Sequence, residues 1–125
     1  MFNIDVRSSK PIYEQLVEQI KANVIKGYLK NEDLLPSVRK MAVNLGVNPN
    51  TVAKAYQELE RQGVIATIRG KGTMVCYNAT AEVKDISQTL DKIKPLIVEL
   101  KYAGKTTEEI IEEIKKICND LGGNL

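Results

Sequence analysis

Two short helical patterns with one glycine between them constrain this chain more than any other feature. Residues 35–60 read Leu-Pro-Ser-Val-Arg-Lys-Met-Ala-Val-Asn-Leu-Gly-Val-Asn-Pro-Asn-Thr-Val-Ala-Lys-Ala-Tyr-Gln-Glu-Leu-Glu. Pro36-Ser37 opens the first of the two helices, with Ser37 as its N-cap and Val38, Met41, Ala42 and Leu45 on its buried face. Gly46 takes a sharp bend and Val47 plugs the turn into the core. Asn48 caps the next helix, Pro49 occupies its first position and Gly63 ends it. Val52, Ala55, Tyr56 and Leu59 face inward, while Asn50, Thr51, Ala53, Lys54, Gln57 and Arg61 fall outward. Ala42 is small where one helix presses on the other. A helix pair joined by a tight Gly-containing turn is a helix-turn-helix.

The flanking sequence completes a domain around that pair. Residues 2–10 read as extended. Pro11 is placed as the first residue of a helix running to about Lys26, with Ile12, Leu16, Ile20 and Val24 recurring every four residues and Gly27 behind them as a C-cap. Tyr28, Leu29, Leu34 and Leu35 surround a polar turn and are expected to pack as a short extended connection against that helix. Val64–Ile68 and Thr73–Tyr77 are rich in β-branched residues, and Arg69-Gly70-Lys71-Gly72 between them reads as the basic tip of a hairpin. Three helices and a hairpin make a winged helix-turn-helix, placed at residues 1–77, with the helix-turn-helix at about 37–62 and the wing at about 64–77.

Residues 78–81 read as a linker to a helical tail, 78–125. Ile86, Leu90, Ile93, Ile97 and Leu100 follow spacings of 4, 3, 4 and 3, a heptad seam. Pro95 inside it predicts a kink or a split near Lys92. Thr106 and Glu109 match a capping box, ahead of a second stripe of Ile110, Ile114, Ile117 and Leu121, and Gly122-Gly123 stops that helix. The expected class is mainly α with a small β-hairpin: a winged domain plus a two-helix tail.

Charge separates the same two regions. Residues 1–77 carry 11 Lys/Arg against 7 Asp/Glu, and residues 78–125 carry 7 against 9. The first region suits an anionic partner and the second a protein. Histidine is absent, which removes the commonest general base and a common metal ligand, and no Gly-rich phosphate loop joins a strand to a helix. Nothing in the sequence supports an enzyme, a cofactor or a metal. Cys76 and Cys118 have no ligand-like spacing and read as small buried or half-buried apolar groups. The polar start and the lack of a span-length apolar run lead us to expect a cytoplasmic, reduced protein away from membranes.

The outward faces have the chemistry of a DNA reader. Asn50 and Thr51 lie in the first turn of the third helix, where a recognition helix meets base edges. Asn pairs bidentately with adenine and Thr bonds a base or touches a thymine methyl. Lys54, one turn on, is placed to reach guanine or a phosphate. Ser37 and Arg39 open the second helix, where amides and a cation clamp a phosphate. Arg69 and Lys71 at the wing tip suit the backbone or a minor groove. Plainer roles stand beside these. Asn48, Pro49 and Ser37 serve as helix starts, Lys54, Gln57 and Arg61 as a solvated face, and Gly70 and Gly72 as turn residues.

Five runs in order carry a family resemblance: Pro11-Ile12-Tyr13-Glu14-Gln15, Leu35-Pro36-Ser37-Val38-Arg39, Val47-Asn48-Pro49-Asn50-Thr51-Val52, Ala55-Tyr56-Gln57-Glu58-Leu59-Glu60 and Arg69-Gly70-Lys71-Gly72-Thr73. Over roughly residues 10–77 the chain resembles the GntR family of bacterial transcription regulators, and its short helical tail resembles the YtrA subfamily. The resemblance implies a phosphate or base contact at Arg39, a recognition-helix start at Asn48 to Thr51, and wing-tip contacts at Arg69 and Gly70. Two positions depart from the pattern. Lys54 stands where Arg is frequent, which keeps the charge and loses the bidentate fork. Asn31 stands where Gly is frequent, and Asn tolerates the left-handed backbone such a turn needs.

Two helices of about 45 residues cannot build an independent core. They either fold back on the winged domain or pair with a second copy. The heptad seam favours a homodimer held through Ile86, Leu90, Ile93, Ile97, Leu100, Ile110, Ile114 and Ile117, in a four-helix arrangement on a two-fold axis. Two winged domains on a dyad read a palindrome. The sequence therefore points to a sequence-specific regulator, most simply a repressor, that binds double-stranded DNA as a homodimer. A protein-docking winged helix and a non-specific architectural DNA binder are the alternatives. The tail is too small to enclose a drug-sized pocket, and nothing supports a small-molecule effector, which would have to sit between chains or between tail and winged domain.

Overall fold

The computed structural model describes residues 2–76 and 86–121, and the chain divides into two units, Met1–Ala79 and Thr80–Leu125. Tyr77, the linker at 78–81 and the Gly122-Gly123 stop lie outside the described residues.

The first unit runs α1 (Ile12–Ile25), α2 (Val38–Leu45), α3 (Pro49–Arg61), β1 (Ile65–Ile68) and β2 (Gly72–Val75). The apolar stripe of α1 packs on α3, and α2 packs on α3 from another side. Leu16 and Ile20 of α1 and Val52, Ala55 and Leu59 of α3 are fully buried between them. Met41, Ile65 and Val75 close the core. Each large side chain taken wholly out of water contributes about 1.5–3 kcal/mol, so this unit has a complete core of its own. Pro11 stands as the N-cap of α1 rather than its first residue. Its backbone is still extended (ψ 145) while its carbonyl accepts the Gln15 N–H at 3.1 Å.

The N-terminal segment is extended only over residues 2–5, whereas residues 6–10 turn. The Asp5 side chain starts that turn by accepting the Arg7 N–H at 2.9 Å. Two glutamines one helical turn apart hold the extended part on α1. The Gln19 side chain accepts from the Asn3 N–H at 2.7 Å and donates to its carbonyl at 2.6 Å. The Gln15 side chain does the same for Asp5, at 2.9 Å each way. A primary amide offers the donor–acceptor pair that a neighbouring strand would offer, so a side-chain ladder replaces a β-ladder here. Phe2 and Ile4 are thereby set against the core.

The segment 28–35 does more than pack against α1. Leu29 and Leu35 enter the core, but Tyr28 and Leu34 stay exposed. The chain instead pairs with β2: Glu32 N–H donates to Val75 O (2.7 Å), Val75 N–H to Asp33 O (2.8 Å) and Leu35 N–H to Thr73 O (2.8 Å). Leu34 and Met74 form an isolated antiparallel bridge. An unpaired strand edge leaves backbone groups needing partners, and this segment supplies them. The left-handed residue in the preceding turn is Glu32 (φ 73), not Asn31. The bond from the Glu32 N–H to Val75 places the bend one residue later than the sequence suggested.

β1 and β2 pair antiparallel with Ile65 opposite Val75 and Ile68 opposite Gly72. Lys71 N–H donates to Ile68 O at 2.9 Å and Gly70 has φ 83, the mark of a type II turn. Cys76 follows β2. It is exposed, as is Cys118, so neither cysteine is the covered group the sequence suggested. Both lie outside packed faces, Cys76 past the end of the hairpin and Cys118 on a helix with little cover.

The second unit contains α4 (Ser87–Tyr102) and α5 (Thr107–Asp120). α4 runs unbroken through Pro95, so of the kink or split expected there the split does not occur. A proline in a helix interior removes one hydrogen bond and crowds one carbonyl, and the turns on either side keep the rest. The capping box is formed on both sides: Glu109 N–H donates to Thr106 Oγ1 at 3.2 Å, and Thr106 N–H to Glu109 Oε1 at 3.1 Å. The Thr106 N–H, followed by the Thr106 side chain, holds the Glu109 carboxyl below its ordinary value. α4 and α5 touch each other. Among the described residues of this unit only Ile110 is buried.

Candidate nucleic-acid interface

Ser37 caps α2 by accepting the Lys40 N–H at 3.2 Å. Among the described residues the Val38 and Arg39 N–H groups have no intramolecular acceptor, and Ser37, Arg39 and Lys40 are exposed. A helix start with free amides and a cation beside it suits a phosphate. α3 starts differently. Asn48 Oδ1 accepts the Asn50 N–H at 2.8 Å, Asn48 O accepts the Thr51 N–H at 3.0 Å, and Pro49 has no N–H to give. Its first-turn amides are already used. Whatever this end touches, it must touch with the exposed Asn50 side chain, the half-buried Thr51 side chain and the amide group of Asn48.

The turn between the helices is set by Gly46, whose φ is 68. Gly46 N–H donates to Val43 O (3.3 Å) and Val47 N–H to Ala42 O (3.0 Å), the double bond pattern that closes a helix over a left-handed residue. A Cβ there would meet nothing within 4 Å, so the backbone angle alone makes glycine the fitting residue. Val47 is half-buried against the core, as its place after the turn suggested.

Long-range bonds tie the three candidate contact regions to one frame. The Tyr56 hydroxyl donates to Pro36 O at 2.7 Å, fastening α3 to the lead-in of α2. Burial pushes that hydroxyl up to about 12, so it stays a donor throughout the neutral range. Thr67 N–H of β1 donates to Glu60 Oε1 at 2.9 Å, fastening the wing to the end of α3. Arg69, Gly70 and Lys71 are exposed at the wing tip.

Lys54 is exposed but has a partner that the sequence did not reveal. Its ammonium lies 3.9 Å from the centroid of the Tyr13 ring on α1. The Tyr13 hydroxyl donates to Glu14 Oε1 at 3.3 Å, and partial burial, followed by that carboxylate, raises it above its ordinary value. The next carboxylate on α3, Glu58, is taken up by Arg61 (Nε to Oε2, 2.9 Å) and Gln62 (2.9 Å). Those two bonds, Arg61 first, hold it down to about 2. A helical reading of one segment at a time cannot show a pair such as Tyr13 and Lys54, which are distant in the chain. The only signal was Tyr13 inside the run that begins at Pro11.

Of the tail positions singled out, Ile86, Leu90, Ile93, Leu100, Ile114 and Ile117 are exposed and Ile97 is half-buried. Ile110 is different: it is 5% exposed within a single chain. Ile86 is the N-cap of α4 rather than part of the helix. Leu96, Val98, Tyr102, Ile111 and Leu121 are exposed as well, so the apolar surface is wider than one seam. Among the described residues no helix is long and apolar enough to cross a membrane, and no group of His, Cys, Asp or Glu could hold a metal ion.

Comparison with known proteins agrees with this arrangement. The family model described as bacterial regulatory proteins, gntR family, matches residues 12–75. The HTH-type transcriptional repressor YtrA of Bacillus subtilis (strain 168) is 46% identical over 125 residues, covering 98% of this chain and 96% of that protein. The crystal structure of a transcriptional antiterminator from Listeria monocytogenes EGD-e matches with a TM-score of 0.93 and 43% identity, over 99% of this chain and 94% of that one. YtrA from Sulfolobus acidocaldarius, a GntR-family transcription factor, matches with a TM-score of 0.64 and 37% identity, over 78% of this chain and 97% of that one. A helix-turn-helix with a basic wing, matched over most of its length by the family model, makes this chain a member of the gntR family of bacterial regulatory proteins.

Proposed function

We propose that the chain is a cytoplasmic repressor that binds a palindromic operator in double-stranded DNA as a homodimer and blocks transcription by occlusion. The contrast between its two helix starts carries the reading. The start of α2, with Ser37, free amides and Arg39, is suited to positioning on phosphates. The start of α3, whose amides are spent, offers Asn50 and Thr51 side chains to base edges. Asn48, Pro49 and Gly70 shape these surfaces, and Arg39, Lys54, Arg69 and Lys71 supply the charge. The name of the similar Bacillus protein supports repression. The exposed apolar faces of α4 and α5 support a second copy as partner.

A mobility-shift assay with a duplex from the region upstream of the coding sequence tests this. Preference over a scrambled duplex is expected, and equal affinity would leave only an architectural role. Arg39→Ala should weaken all duplexes together and reduce the salt slope by about one. Asn50→Ala should cost about 1–3 kcal/mol at particular base pairs only. No DNA affinity, with partner binding that survives charge reversal at Arg39, Lys54 and Arg69, would make it a protein-docking module. The likeness to an antiterminator supports one more arm, the transcript RNA of the same region in place of the duplex.

A further inference from the structure

Lys54 is exposed on α3 and carries a long, flexible stem. Such a side chain ordinarily samples many rotamers, and ordering it on DNA costs entropy. Here its ammonium sits 3.9 Å from the Tyr13 ring centroid, and among the described residues it forms no ion pair. The ring itself is fixed. Tyr13 is half-buried against the core, one residue into α1, and its hydroxyl is bonded to Glu14. The Glu14 carboxylate at the far end of the phenol adds electron density to the face that the cation meets, which strengthens the attraction. α1 and α3 are packed together through fully buried side chains, so the ring and the helix that carries Lys54 move as one body.

We propose that Tyr13 is a positioning residue for sequence reading: its ring holds the Lys54 ammonium in place on α3, so that what Lys54 contributes to operator choice depends on Tyr13. This rests on the DNA-reading function proposed above. It adds a residue of α1 to the determinants of specificity, although Tyr13 lies on neither the helix-turn-helix nor the wing. It also explains how lysine can serve at this position. Arginine is pre-organised by its planar fork, whereas lysine needs an external guide.

The test uses the full chain and the upstream duplex, with a scrambled duplex as control, for wild type, Tyr13→Phe, Tyr13→Leu, Lys54→Met and Tyr13→Leu/Lys54→Met. Wild-type protein that does not prefer the upstream duplex defeats the DNA-reading function itself, before any variant is compared. Given that preference, Tyr13→Leu is expected to lose about two- to fivefold in affinity for the upstream duplex. Tyr13→Phe keeps the ring and should keep most of the affinity. In the Lys54→Met background Tyr13→Leu should change nothing. An equal loss in that background makes Tyr13 merely structural and overturns the proposal. A gain in affinity for Tyr13→Leu overturns it too, because the ring would then be parking Lys54 away from DNA. A measurement on wild type covers the case in which Tyr13→Leu fails to fold. The ε-methylene protons of Lys54 should show an upfield ring-current shift by NMR that persists in the DNA complex, and loss of that shift on binding overturns the proposal.

Discussion

The two units of this chain solve the same problem by opposite means. Residues 2–76 bury aliphatic side chains from three helices and a hairpin in one core, and even their glutamines are used to hold a strand in place. Residues 86–121 form two helices around almost nothing: α4 starts at Ile86 with no side-chain cap and has no buried residue, and α5, with a full capping box, has only Ile110. Good local signals therefore make good helices in both units, but only the first converts them into a core. A helix pair with bare apolar faces lacks the packing that a core of its own would give it, which is what the proposed second copy would supply. The same contrast separates the two proposed jobs: the closed unit can hold a fixed reading surface, and the open one has the exposed apolar faces that the proposed homodimer needs.

The contrast is sharpest at Leu90, which is 53% exposed in the single chain. An aspartate there costs the lone chain little, but between two copies it buries an unpaired charge, worth about 3–5 kcal/mol. Leu90→Asp is expected to halve the mass seen by light scattering at micromolar concentration while the melting of the winged unit stays in place. A wild-type monomer under those conditions would break the comparison at once. Leu59, fully buried in α3, is the opposite case. Leu59→Ala should lower the stability of the winged unit by about 2–5 kcal/mol in urea unfolding. If it cost less than a tail substitution, the core would not be where burial places it.

Smaller effects test the joints. Gly46→Ala forces a left-handed angle on a residue with a Cβ, and with nothing within 4 Å to clash, the cost should be the backbone term alone, about 1–2 kcal/mol. A much larger loss would mean that the turn moves. The smallest effect is an acid titration. Glu58 is held down to about 2, chiefly by its bond to Arg61. Its folded value lies below its unfolded one of 4.5, so its contribution is complete above that value and is lost as pH falls toward about 2. Glu58→Gln should flatten the pH dependence of winged-unit stability in that window, with the loss of its contribution fully present at neutral pH and vanishing as pH falls toward about 2.

Much of this was legible in residue order. Ser37, Asn48 and Thr106 are caps, Gly46 is the bend, and the buried face of α3 is Val52, Ala55, Tyr56 and Leu59, all of which follow from local chemistry and helical period. Interactions within one helix turn or one hairpin are encoded within a few residues. Errors gathered where a distant partner chose the outcome. Asn31 seemed the natural left-handed residue, but Val75, more than forty positions away, draws the bend to Glu32. Pro95 is the local exception: of the kink or split expected there, the split is absent, because the intact turns around it carry α4 through. Lys54 read as a groove-facing or solvated side chain, and its place over the ring of Tyr13, distant in the chain, was not visible in the sequence.

By itself, then, the order of residues determined which segments become helices, where they start and stop, and which face of each is apolar, because caps, glycines and periodicity act over a few residues. Only the tertiary structure decided how those faces are spent: α1 and α3 on each other, Gln15 and Gln19 on the N-terminal segment, Glu32 and Leu35 on β2, and Tyr13 on Lys54. Such pairings depend on which surfaces meet once the core has closed, and that closure is a property of the whole unit rather than of any window along the chain.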